Sequence, residues 1–198
     1  MEKLIVASQN RKKIKELNAI LSKHGFEPVA RDDAGLPTFE VVEDGTTFEE
    51  NSFKKANEIM KVSGMVTIGD DSGLMIDALD GAPGIYSSRY AGEECDDDKN
   101  NLKVLENLKG VPWDERTAKF VTVITMCYPD GRTIVARGEI KGHIAEDFMG
   151  EGGFGYDPIF VPEGYDQSFA QLGTDFKNTI SHRARALEVL DEKLKELK

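Results

Sequence analysis

Two adjacent carboxylates, Asp70 and Asp71, follow an apolar run from Met65 to Ile68, and a hydroxyl and a glycine come next in Ser72 and Gly73. Like charges this close repel unless a cation, a donor or water stabilises them. A hard cation with oxygen ligands, Mg²⁺ above all, is the economical answer. Successive residues of an extended segment point to opposite sides, so the two aspartates face different surroundings. The pattern predicts a strand whose end presents Asp70 and Asp71, with a sharp reversal at Gly73 before the apolar Leu74 to Ile76. A solvated acidic turn has the same local sequence, so the weight has to come from the rest of the chain.

Three other stretches carry chemistry. Asn10, Arg11, Lys12 and Lys13 open a helix whose N-terminal N–H groups and dipole suit phosphate. Gly150 to Pro158 has glycines at 150, 152, 153 and 155, with Phe154 and Tyr156 between and after them. Such a segment lets backbone approach a ligand and offers it flat aromatic faces. Near the end, Ser181 reads as an N-cap, which puts His182 and Arg183 in a helical first turn. Cations there oppose the helix dipole, a poor structural choice and a good one for an anionic or carbonyl-bearing ligand.

The elements that must position these residues read in order. Leu4 to Ala7 is a buried strand, Arg11 to His24 a helix with Ile14, Leu17, Ile20 and Leu21 on one face, and Phe26 to Ala30 a strand. Residues 31–45 are irregular and acidic. A capping box at Thr46 or Thr47 opens a helix to Ser63, with Phe53, Ala56, Ile59, Met60 and Val62 inward. Another helix spans Asp97 to Leu108, with Leu102, Val104, Leu105 and Leu108 buried. Thr117 to Tyr128 and Arg132 to Ile140 form a hairpin that Gly142 to Glu146 continues, and a last helix runs to Leu197 with Leu187, Leu190, Leu194 and Leu197 inward. Strands alternating with helices predict an α/β fold.

At 198 residues the chain is expected to form one domain in two lobes without a separable linker. Its 25 basic and 36 acidic residues sum to −11, which argues against nucleic acid as a partner. Two cysteines imply no disulfide framework and fit a reducing cytoplasm. Leu4 to Ala7 is too short for a secretory core, and no run is long enough to span a membrane.

Taken together, the segments resemble the inosine/xanthosine triphosphate pyrophosphatase family. The matching pieces are Ser8 to Lys13, Thr47 to Asn51 with Lys55, Asp70 to Leu74, Gly81 to Tyr90, Gly152 to Pro158 and Ile180 to Arg183, in the family's order. The resemblance implies a long curved mixed sheet with flanking helices around a cleft, a homodimer, and Mg²⁺-dependent hydrolysis of ITP, dITP and XTP to monophosphate and pyrophosphate. It further implies Mg²⁺ ligands in Glu43 and Asp71, with Asp70 beside them, and Asp71 as the group that deprotonates water. Asn10, Lys13 and Lys55 are expected on the phosphates, and Ser8, Gln9, Arg11, Lys12 and Ser72 are expected to bind the substrate with them. Phe154, Gly155, Tyr156, Asp157, Lys177, Ser181, His182 and Arg183 are expected at the base or elsewhere on the nucleotide. Gly69, where alanine is commoner, is read as a minor departure. Two rivals differ in class: a phosphatase with a phospho-aspartyl intermediate, against which the lack of Asp-x-Asp-x-Thr speaks, and a nucleotide-binding module without turnover.

Overall fold

The computed structural model describes residues 1–37 and 40–197, and the side chain of Lys12 lies outside that description. The run Leu4 to Val6 is the buried end of β1 (Glu2–Val6). Asn10 then caps α1 (Arg11–Leu21): its carbonyl accepts from Ile14 N–H at 3.1 Å and its Oδ1 from Lys13 N–H at 3.4 Å. Leu17 and Leu21 are buried, with Ile14 and Ile20 packed against the same core. A 3₁₀ turn, Ser22–His24, and left-handed Gly25 lead into β2 (Phe26–Ala30), which runs parallel to β1 with Leu4 opposite Pro28. Pro28 has no N–H for a ladder and is tolerated because β2 is an edge strand.

Thr47 caps α2 (Phe48–Ser63), its hydroxyl accepting from Glu50 N–H at 3.1 Å. The inward face differs from the expected one. Ala56 and Ile59 are buried, but Phe53 and Val62 are exposed, and Phe48, Asn51 and Ser52 complete the buried stripe. The helix is rotated towards its small and polar residues because it lies tightly on the sheet, where Ser52 Oγ is 2.7 Å from Thr125 Oγ1. Next, β3 (Thr67–Ile76) runs without interruption through Asp70, Asp71, Ser72 and Gly73, so the expected reversal at Gly73 does not occur. Pairing with β1 ends at Ile68, so the extended course beyond it is kept on the side of β4, the other neighbour of β3 in the sheet.

In α3 (Asp97–Asn107) Val104 and the following Leu108 are buried, whereas Leu102 is exposed. The buried places go instead to Asn100 and Asn101, whose amides bond the backbones of Ala91, Ser88 and Gly155. β4 (Thr117–Cys127) and β5 (Thr133–Ile144) form the expected hairpin, and β5 does continue past Ile140. β6 (Phe160–Pro162) pairs antiparallel with β5. Two short helices, α4 (Phe169–Leu172) and α5 (Thr174–Ile180), were not foreseen, and α6 (His182–Glu196) closes the chain with Leu197 exposed rather than inward.

The six strands form one mixed sheet in the order β2-β1-β3-β4-β5-β6. The chain divides into two compact units, and β3, β4, β5 and α6 each contribute to both. The first unit (Met1–Asp71, Thr122–Gly138, Ala186–Lys198) centres on Leu4, Val6, Leu21, Ile68, Met126 and Leu190. The second (Ser72–Val121, Glu139–Arg185) centres on Leu74, Ile76, Leu108, Ile144, Phe160 and Phe169. Both cysteines are free, Cys95 exposed and Cys127 buried. Among the described residues no helix is long and apolar enough to cross a membrane.

Each unit has one buried or half-buried charge that yields a test. In the second, the Arg116 guanidinium is 3% exposed and donates to the carbonyls of Leu108, Ile144 and Ala145 at 2.7–2.8 Å. Arg116→Met strands those acceptors, and a stability loss of roughly 1–3 kcal/mol or more is expected from the urea midpoint. In the first, His24 Nε2 lies 2.7 Å from Asp191 Oδ1, and Lys195 pairs with the other oxygen. These partners hold the Asp191 carboxyl down at about 2. A depressed acid stabilises the fold above its unfolded pKa of about 4, and that contribution is lost as pH falls towards 2. Asp191→Asn is therefore expected to flatten the acid limb of stability within that window, as followed by circular dichroism.

Candidate active site

In the first unit, Ala7 N–H bonds the carbonyl of Ile68, the last residue paired with β1. The chain thus leaves β1 beside the point where β3 turns polar, and α1 brings Lys13 back to it. Lys13 Nζ lies 2.6 Å from Asp70 Oδ2. From the other side α2 delivers Lys55, whose Nζ is 2.8 Å from Glu43 Oε2, 3.6 Å from Asp71 Oδ1 and 3.1 Å from the Asp70 carbonyl. The two aspartates thus meet different lysines, as strand alternation requires. Asp71 is 8% exposed.

Burial works against the Lys55 ammonium, but the carboxylates of Asp71, Glu43 and Asp70 outweigh it and raise its pKa above the ordinary lysine value. Lys55 therefore stays charged at neutral pH. Among the described residues, no three acidic, histidine or cysteine side chains converge as a metal cluster. The predicted ligands Glu43, Asp70 and Asp71 gather about lysine ammonium groups instead. As a donor set they still fit Mg²⁺, which takes carboxylate oxygens.

The other predicted substrate residues make contacts of their own. Ser8 Oγ accepts from Asn10 N–H at 3.1 Å, and Gln9 is exposed. Arg11 pairs with Asp33 at 2.7 Å on the surface, a contact of small energetic weight. Ser72 is half-buried on β3. Lys12 falls outside the described side chains.

In the second unit the glycine-aromatic loop folds onto Asp157. This carboxylate is 2% exposed, accepts from Phe154 N–H at 2.9 Å and pairs with Lys177 at 2.7 and 2.8 Å. Gly153 (φ +84°) touches it so closely that a Cβ would stand 2.8 Å from its Oδ2. Asp97 Oδ2 accepts from Gly155 N–H, and Asn101 donates to the Gly155 carbonyl, both at 2.9 Å. These two α3 residues are functional neighbours that sequence reading missed; the buried asparagine was masked by the apolar positions around it. The result is a Phe154 ring that is 78% exposed.

Tyr156 requires a correction. Its ring is part of the second unit's core and its hydroxyl donates to the Ser87 carbonyl at 2.6 Å, so it offers no face to a ligand. Burial pushes its phenol pKa well up. Ser181 caps α6 as expected, accepting from Ala184 N–H at 3.2 Å. His182 is in the first turn, but its ring is buried and stacks on Phe120 at 4.8 Å, while Arg183 is half-buried. A groove of about 380 Å³ lined by Glu139, Lys141, Tyr165 and Arg185, among others, contains none of the predicted residues.

A sequence model of the Ham1 family matches residues 4–193. The chain belongs to the Ham1 family. It is 50% identical to a protein of Clostridium perfringens named dITP/XTP pyrophosphatase, over 98% of each chain. A Geobacter sulfurreducens protein of the same name is 45% identical over 98% of this chain and 97% of its own. The solved structure of the Staphylococcus aureus Ham1 protein superposes with a TM-score of 0.93 at 41% identity, with full coverage of both chains. The mixed open sheet with flanking helices is thus the Ham1 fold, as the resemblance implied.

One residue of this Ham1 chain carries more than the sequence suggested. A Cβ on Gly69 would stand 2.7 Å from the Ser52 carbonyl, 2.9 Å from Ala56 N and 3.0 Å from Lys55 Cβ. The first two are backbone of α2 and have no side-chain freedom to yield. Gly69→Ala is therefore expected to push α2 outward and cost about 1–3 kcal/mol, the usual range for overpacking, in a urea titration.

Proposed function

We propose that this chain hydrolyses non-standard purine nucleoside triphosphates (ITP, dITP and XTP) to the monophosphate and pyrophosphate, with Mg²⁺ held by Glu43 and Asp71 and with Asp70 beside them. The observation that carries the reading is the arrangement of Glu43, Lys55, Asp70 and Asp71, in which a buried carboxylate stands next to a lysine kept charged. A module that merely held a polyanion would gain nothing from three carboxylates there. The Ham1 relatives named dITP/XTP pyrophosphatase support the same substrate class.

Lys13 and Lys55 exchange carboxylate partners for phosphate oxygens, and the N-terminus of α1 adds its N–H groups. When bound, Mg²⁺ offsets phosphate charge and lowers the pKa of water. Asp71 accepts a proton from water. The water oxygen bonds to the α-phosphorus as the bond to the bridging oxygen breaks, and pyrophosphate leaves. Such chemistry is mostly positioning and electrostatics. On the base, Phe154 provides a stacking face, which any purine accepts. Donors from Lys177, His182 and Arg183 favour the 6-oxygen of hypoxanthine and xanthine over the 6-amine of adenine. The reading also carries a homodimer in the cytoplasm.

The test mixes protein, Mg²⁺ and dITP and separates pyrophosphate from orthophosphate. Pyrophosphate with dIMP is the expected outcome. Orthophosphate would overturn the reading in favour of a phospho-aspartyl phosphatase, and neither product in favour of a binding module. Asp71→Asn is expected to lower kcat by about 10²–10⁴, the contribution typical of a general base, with nucleotide affinity little changed. Undiminished turnover in that variant would remove Asp71 from the role.

A further inference from the structure

The segment 43–46 is fastened along the first two turns of α2. Glu43 pairs with Lys55, and Asp44 pairs with Lys54. Gly45 N–H donates to Asn51 Oδ1 at 2.9 Å. The Thr46 N–H and hydroxyl donate to Glu50 Oε2 at 2.6 and 2.9 Å. Residue 43 thus meets 55 and residue 46 meets 50, so the segment runs back against the helix.

Asp44 and Glu50 make their contacts in water, where ion pairs and charged hydrogen bonds hold weakly. Asn51 differs from them. It is 1% exposed, and its carboxamide has no charge for salt to screen. Gly45 packs against it so closely that a Cβ would stand 2.6 Å from Asn51 Oδ1 and 2.8 Å from Glu50 Cβ. The backbone of Gly45 is not left-handed, so glycine is needed there for proximity rather than for conformation. The motif Thr47 to Asn51 also stood out in the sequence, yet the mechanism leaves Asn51 without a part.

We infer that Asn51 is a positioning residue: by holding the backbone of Gly45 it sets Glu43, two residues earlier, beside Lys55 and Asp71. The inference rests on the proposed role of Glu43 in holding Mg²⁺. Without the Asn51 carboxamide, the segment keeps the Glu43–Lys55 pair and its surface contacts but loses its buried backbone tie, and Glu43 spends less time at the site.

The experiment compares the unmodified chain with Asn51→Ala, Glu43→Gln and the double variant. Mn²⁺ binding to the protein alone is read by electron paramagnetic resonance, and the Mg²⁺ dependence of dITP hydrolysis is measured separately. Asn51→Ala is expected to raise both the Mn²⁺ dissociation constant and the half-activating Mg²⁺ concentration about tenfold, the order of one buried hydrogen bond. The KM for dITP at saturating Mg²⁺ stays within about twofold, because that contact is not to the nucleotide. In the Glu43→Gln background, adding Asn51→Ala changes neither quantity further, as expected of residues acting through one another. A uniform loss of activity at every Mg²⁺ concentration with unchanged Mn²⁺ binding would overturn the inference, as would shifts that add in the double variant. If Glu43→Gln shifts both readouts and Asn51→Ala neither, the inference alone fails. If Glu43→Gln shifts neither, the proposed role of Glu43 fails first. Should Asn51→Ala not fold, Gly45→Ala, which crowds the same contact from the loop side, is expected to give the same shift, and its absence would count against the inference.

Discussion

The first unit is arranged around a lysine ammonium that has been largely withdrawn from water. Burial alone would favour neutral Lys55. It remains charged because Glu43, Asp71 and the Asp70 carbonyl surround it, and those oxygens come from two separate stretches of chain. The constraint is reciprocal. A buried carboxylate such as Asp71 also needs a nearby positive charge, so neither partner is comfortable alone. Much of the local architecture serves to bring α2 onto β3 closely enough for this contact. Gly69 removes the side chain that would hold the helix off, and Ser52 and Thr125 hydrogen-bond across the layer where larger apolar groups would ordinarily pack.

The second unit solves a similar electrostatic problem with one pair. Asp157 is almost fully buried, and Lys177 supplies its counter-charge while its ammonium lies over the Phe169 ring. The same carboxylate organises the preceding loop by accepting from the backbone of Phe154. Phe154 is thereby held at the surface with most of its ring in solvent. His182 shows the opposite arrangement: stacking on Phe120 fixes its plane and removes most of it from water.

The chain belongs to the Ham1 family, and its Lys55 stands between the carboxylates of Glu43 and Asp71. The relatives carry a substrate class in their names, and in this chain lysines of α1 and α2 stand beside the carboxylates of β3. In a chain this acidic, Lys13 and Lys55 are held where carboxylates concentrate them.

By itself the sequence determined the alternation of strands and helices, the bounds of β2 and the cap at Ser181, and it narrowed the cap of α2 to Thr46 or Thr47, because hydrophobic period, capping hydroxyls and glycine stops act over a few residues. It also picked out Asp70, Asp71 and the glycine-aromatic loop, since paired carboxylates and clustered glycines are costly without a use. Tertiary structure decided what depends on a distant neighbour. Period tells that α2 has a buried face, but the rotation that exposes Phe53 and buries Asn51 follows from how closely β3 lets the helix approach. The extended course of β3 through Gly73 follows from its place beside β4 in the sheet, where a local reading saw a turn. Tyr156 and Phe154 are equivalent aromatics in sequence, and only the packing around Ser87 and Asp157 sends one inward and the other to solvent.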